Sequence, residues 1–132
     1  MANDAQSLTL RRITTSEAAQ AFKACAGLDP QAKQTPEGAA NAGECFAVKG
    51  AGGEVAFSIA FNGGVAWVHA AAGGGDNMAG AVLEKIERLA RAHQCFCVAF
   101  QTMRRGLKRV AEARGYTVAG RIGEGWKLEK HS

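Results

Sequence analysis

The feature that most constrains this chain is a change of hydrophobic period between residues 65 and 100. Val65-Ala-Trp-Val-His-Ala70 is a short, mostly apolar run of strand length, and Gly73-Gly74-Gly75 soon follows it. Apolar residues then recur at Met78, Val82, Ile86, Leu89 and His93, with Ala79, Leu83 and Ala90 beside them, which is the 3.6-residue period of an amphipathic helix. The opposite face carries Glu84, Lys85, Glu87, Arg88 and Arg91. It predicts a solvated surface with Glu84–Arg88 and Glu87–Arg91 at ion-pairing i,i+4 spacing. Cys95-Phe-Cys-Val-Ala-Phe100 is nearly continuous apolar sequence, as expected of a strand buried on both faces. Two strands joined through a helix run parallel, so this stretch predicts one parallel crossover.

The flanks predict a mostly antiparallel setting for that crossover. Glu44–Gly50, Glu54–Phe61 and Val65–Ala70 read as a three-strand meander, separated by Gly50-Ala-Gly-Gly53 and by Asn62-Gly63-Gly64. The middle strand places Val55, Phe57, Ile59 and Phe61 on one face and alanines with Ser58 on the other. Ser7–Ile13 reads as an opening strand. Thr14-Thr-Ser-Glu17 has the spacing of a capping box, ahead of a helix with Ala18, Ala21, Phe22 and Cys25 on one face. Residues 28–43 hold both prolines and little large apolar surface, and are expected to form a long flexible loop with at most a short helix, suited to a lid or a partner contact. Downstream, a helix from about Met103 to Arg114 should bury Met103, Leu107, Val110 and Ala111 and end at Gly115, before a closing strand pair at Tyr116–Gly120 and Trp126–Lys130. The expected fold is a single mixed α/β (α+β) domain over residues 1–132.

Composition narrows the function classes. With 132 residues, 47% apolar and 21% charged, the chain has globular proportions. No apolar run approaches the roughly 20 residues of a membrane span, and no apolar core follows the N-terminus, so neither a membrane contact nor a cleaved secretion signal is expected. A cytoplasmic location follows as an expectation. Cys25, Cys45, Cys95 and Cys97 lack paired C-x-x-C spacing, and no H-x-x-x-H follows them, so buried thiols and no metal are expected. Residues 1–100 carry 8 basic and 9 acidic side chains, whereas residues 101–132 carry 8 basic and 3 acidic. Arg104, Arg105, Lys108 and Arg109 form two i,i+4 basic rows that could meet the phosphates of nucleic acid or of a cofactor, or simply face solvent. No aromatic residue is interleaved among them, so a single-strand stacking platform is not expected, and any DNA contact should be weak because the first 100 residues are slightly acidic and no base-reading element is visible.

Three glycines ahead of a helix can aim backbone N–H groups at a phosphate. There is no G-x-x-x-x-G-K-[ST] and no dinucleotide spacing to define which phosphate. The element order over residues 7–130, with Ala81-Val-Leu-Glu-Lys-Ile-Glu-Arg-Leu-Ala-Arg-Ala-His-Gln-Cys95 and Arg104-Arg-Gly-Leu-Lys-Arg-Val-Ala-Glu-Ala-Arg-Gly-Tyr116, resembles the GNAT acetyltransferase superfamily. The resemblance implies a mixed, mostly antiparallel sheet with helices on both faces and a strand–glycine loop–helix cofactor unit. It also implies an acetyl-CoA site, with the pyrophosphate on Gly74, Gly75, Asp76, Asn77, Met78 and Ala79 and the pantetheine arm beside Val68 to Ala70, and an amine acceptor. By the same resemblance, Arg104, Arg105, Lys108 and Arg109 could reach the CoA 3′-phosphate.

The sequence departs from the family at several positions. Its loop pattern Q/R-x-x-G-x-G/A falls on Gly74, Asn77 and Ala79, where only the last fits; the usual general-acid tyrosine position is Ala111, and the asparagine that often opens the following helix is Arg104. The third meander strand carries no carboxylate, leaving His69 as its only titratable side chain and the candidate general base. Asp76 reads as a helix cap. Two functions remain open. One is an acetyl-CoA-dependent N-acyltransferase. The other is a non-catalytic protein similar to phage-encoded GNAT-like proteins, among them an internal virion protein of short-tailed phages, with a protein partner at residues 28–43 or at the basic helix.

Overall fold

The computed structural model of the chain describes residues 9–23, 35–50, 53–73, 78–102 and 104–131. Within them lie β1 (Thr9–Arg12), α1 (Thr15–Lys23), α2 (Pro36–Asn41), β2 (Glu44–Gly50), β3 (Gly53–Asn62), β4 (Val65–Gly73), α3 (Met78–Ala92), β5 (Cys97–Thr102), α4 (Arg105–Ala113), β6 (Thr117–Ile122) and β7 (Gly125–His131). The strands form one seven-stranded sheet in the order β1-β2-β3-β4-β5-β7-β6. Only β4 and β5 pair in parallel, joined through α3; every other neighbouring pair is antiparallel. The meander and the crossover are thus both present. Gly63 (φ 61°) and Gly64 (φ 81°) form the two-residue β3–β4 hairpin, where both central positions need positive φ.

A helix pair covers each face. Phe46, Val48, Val55, Phe57, Ile59, Val68, Val98, Phe100 and Leu128 make the larger core with Met78, Val82, Leu83 and Ile86 of α3 and Ala111 of α4. On the other face, Cys45, Ala47, Ala56 and Ala72 meet Ala18, Ala19 and Phe22 of α1 and Ala39 and Ala40 of α2. The capping box forms: the Thr14 backbone N–H donates to Glu17 Oε1 at 3.0 Å, and the Glu17 N–H donates to Thr14 Oγ1 at 3.0 Å. The part of the expected 28–43 loop that is described holds the short helix α2, capped by Thr35 with Pro36 in its first turn. It is tied to the sheet. Ser58 Oγ, fully buried, donates to the Ala39 carbonyl at 2.8 Å, and Cys45 Sγ to the Ala40 carbonyl at 3.2 Å.

Two sequence expectations need correction. The β5 strand begins at Cys97, not Cys95, and Phe96 is exposed beside the hairpin, its N–H donating to the Gly64 carbonyl at 2.8 Å. Glu87 is not on a solvated face and does not pair with Arg91. Its side chain is 8% exposed and receives Arg114 at 2.7 and 3.3 Å, the Tyr116 hydroxyl at 3.0 Å and Lys130 Nζ at 3.4 Å. Burial alone would raise the Glu87 pKa, but the hydrogen bonds from Arg114 and Tyr116 outweigh it and hold the carboxyl below its usual value. Burial, with the Glu87 charge, pushes the Tyr116 phenol far up, so it stays a donor. The expected Glu84–Arg88 pair does form, at 3.8 Å on the surface.

Candidate active site at the splayed ends of β4 and β5

The parallel pairing of β4 with β5 runs from Val65↔Cys97 to Val68↔Phe100 and then stops, although β4 continues to Gly73 and β5 to Thr102. The cause lies partly on the other edge of β4. There Ile59 pairs with Val68 and Ser58 with Ala70, so His69 is an extra residue opposite none on β3. That is a β-bulge, which bends a strand and raises its twist. The bulge also inverts the alternation. Ala66 and Val68 point into the α3/α4 core before it, whereas Ala72 lies in the α1/α2 core beyond it, with Ala70 packed at its side. Ala71, left on the α3 side, is exposed.

Chain connection brings two helix starts to the same gap. β4 leads toward α3 at Met78, and β5 leads through Arg104 into α4. The first turn of α3 lies against the second turn of α4: a Cβ on Gly80 would sit 3.8 Å from Val110. The Arg104 N–H donates to Thr102 Oγ1 at 3.0 Å, fixing the turn from β5 into α4. At the bulge, His69 is half-buried with its ring edge-on to Trp67, centroids 6.4 Å apart. Burial lowers the His69 pKa, so the ring is neutral near pH 7 and able to accept a proton.

Val68 and Met78 are buried, and Ala70 and Ala79 half-buried; the side chains of Val68 and Met78 are packed in the larger core. Gly74, Gly75, Asp76 and Asn77 lie outside the described residues. Arg104, Arg105 and Arg109 are exposed at the start of α4, whereas Lys108 leaves the expected basic row. Its Nζ pairs with Glu112 at 3.1 Å and lies 5.3 Å from the Trp126 ring centroid. Ala111, at the family's general-acid position, is fully buried. The sequence reading missed the bulge, because His69 and the small residues after it show no polar–apolar contrast that could mark a change of alternation.

No family model matches the chain, and no curated protein sequence matches it significantly. Solved structures do match, over nearly the whole chain. A GNAT-family protein from Desulfovibrio desulfuricans superposes with a TM-score of 0.63 at 11% identity, covering 95% of this chain and 99% of that one. A chimera of the Vibrio cholerae spermidine N-acetyltransferase matches with a TM-score of 0.65 at 14% identity, covering 94% and 95%. An aminoglycoside acetyltransferase solved in complex with coenzyme A matches with a TM-score of 0.63 at 10% identity, covering 95% of each chain. The likeness spans nearly the whole chain, and the chain has the GNAT N-acetyltransferase fold.

Proposed function

We propose that the protein is a small N-acyltransferase that uses acetyl-CoA and passes the acetyl group directly to an amine. The observation that carries this reading is the edge of β4 beyond Val68. There the β4–β5 ladder ends among the described residues while β4 runs on to Gly73, and this edge suits an extended, amide-bearing ligand. The residues present fit the pantetheine arm of CoA: Val68 and Ala70 border the gap, and Ala71 beside them is small and exposed. In this reading the backbone of Gly74 to Ala79 holds the pyrophosphate, and Arg104, Arg105 or Arg109 meets the 3′-phosphate. When bound, acetyl-CoA supplies an acyl group already activated as a thioester. His69, neutral at pH 7, takes a proton from the acceptor ammonium at a ring nitrogen. The remaining contribution is positional: amine and acyl carbon are held together. The acceptor class assigned here, a primary amine of the polyamine or aminosugar kind, follows the names of enzymes sharing the fold.

The test is release of free CoA thiol from acetyl-CoA over a panel of amines including spermidine and an aminoglycoside. Turnover is expected, falling about 10²- to 10⁴-fold in His69→Gln with acetyl-CoA affinity kept. Failure to bind CoA, or turnover unchanged in His69→Gln, would overturn the corresponding part of the reading. A second reading, a non-catalytic component such as a phage virion protein, is favoured by the buried Ala111 and by a β4 without a carboxylate. Stable co-migration with a larger assembly, without turnover on any amine, would select it.

A further inference from the structure

A second cluster of chemically competent side chains lies where β5 and β7 pair, near the start of β5 and away from the gap at its C-terminal end. Cys97 and His131 are direct cross-strand partners, and Glu129, two residues before His131 on β7, shares their face of the sheet. Cys97 Sγ lies 3.9 Å from His131 Nε2, His131 Nε2 lies 3.3 Å from Glu129 Oε1, and one ligand atom from each residue lies within 4.8 Å of the other two. We propose that Cys97, Glu129 and His131 form a three-ligand site for a zinc-type divalent metal ion.

Two of the three ligand–ligand edges are close to what such an ion requires, and the third, from Cys97 Sγ to Glu129, lies within 4.8 Å. With Zn–N and Zn–O near 2.05 Å and Zn–S near 2.3 Å, tetrahedral edges are about 3.3 Å for N···O and about 3.5 Å for S···N. The N···O edge already has that length, and the S···N edge closes by about 0.4 Å. The donor set, one thiolate, one imidazole and one carboxylate, suits zinc better than hard oxygen-seeking ions such as magnesium or calcium. Thiolate and carboxylate together balance the two positive charges, and coordination sends the Cys97 thiol proton to solvent. Lys127 Nζ holds the other carboxylate oxygen, Glu129 Oε2, at 3.1 Å, which orients Oε1 toward His131. The His131 side chain is 60% exposed, which gives the ion a way in and leaves a fourth position for water. Spacing along the chain could not reveal this set, since Cys97 and His131 are 34 residues apart and meet only through strand register.

The test uses the full-length, untagged chain titrated with Co²⁺ as a spectroscopic probe and then with Zn²⁺. One equivalent of Co²⁺ should give tetrahedral visible bands with a thiolate charge-transfer band, and Zn²⁺ should displace it. His131→Ala, a change at an exposed strand end that should leave the fold intact, should weaken binding at least about tenfold. Cys97→Ser should remove the charge-transfer band, whereas Cys45→Ala and Cys95→Ala should keep it. Absence of stoichiometric binding to the folded protein, a thiolate band that survives Cys97→Ser, or unchanged affinity in His131→Ala would each overturn the site.

Discussion

Replacing Glu87 with alanine tests the reading of the buried charge cluster most sharply, because three side chains, two from the α4–β6 turn and one from β7, converge on one carboxylate. The Tyr116 hydroxyl, in a residue 2% exposed, would lose its acceptor, which costs about 1–3 kcal/mol. The Arg114 and Lys130 side chains are 31% and 32% exposed and can turn to water, so each loses only about 0–1 kcal/mol, as a surface pair does. The sum is about 1–5 kcal/mol. At about 2.1 cal/mol/K per residue over 132 residues, that lowers Tm by about 4–18 °C. The pH dependence has a definite sign. Glu87 has a folded pKa below its ordinary value of 4.5, so its contribution is present above that value and is lost as pH falls through the folded pKa. Urea unfolding of both proteins from pH 7 to pH 3 should therefore show a gap that is constant near neutrality and narrows in acid. A double-mutant cycle with Tyr116→Phe should give a coupling above about 0.5 kcal/mol. A deficit below about 1 kcal/mol, or one that does not change with pH, would refute the account of Glu87 as a buried, ionised hub.

Other substitutions probe the frame around the candidate site. Ser58→Ala should cost about 1–2 kcal/mol in urea unfolding, because the Ala39 carbonyl loses its donor in a buried setting; a neutral result would show that α2 is not held by that bond. Gly64→Ala should cost at least about 1 kcal/mol, since a Cβ there meets the Phe96 ring and φ is 81°; Gly63→Ala, with open space around it, should cost less. With Lys108 committed to Glu112, three exposed arginines remain at α4, so any duplex DNA retention should show a log K against log salt slope no steeper than about −3. Arg105→Glu with Arg109→Glu should abolish it at unchanged Tm, and a steeper slope would mean that other basic residues engage.

Much of the fold was legible because its signals are local. The period change across residues 65–100 placed the crossover, glycines 63 and 64 placed the hairpin, and Thr14 with Glu17 placed the start of α1. The candidate site was legible only in outline. The bulge at His69 lies in a run of alanines, where either register buries the same small side chain. Glu87 was misassigned to solvent because a helical period describes one helix alone, and its partners Arg114, Tyr116 and Lys130 stand 27, 29 and 43 residues away. Lys108 left the basic row for a comparable reason: Trp126, whose ring lies beside it, comes from β7.

The central claim, that a CoA thioester binds where β4 parts from β5, is tested most directly by titrating ¹⁵N-labelled protein with CoA and following the backbone amides. Saturable shifts should concentrate at His69–Gly73 on β4, at Gln101 and Thr102 on β5, and at the first turns of α3 and α4, with β6 and the α1/α2 face unmoved. Shifts confined to another surface, or a spectrum unchanged at millimolar CoA, would contradict it.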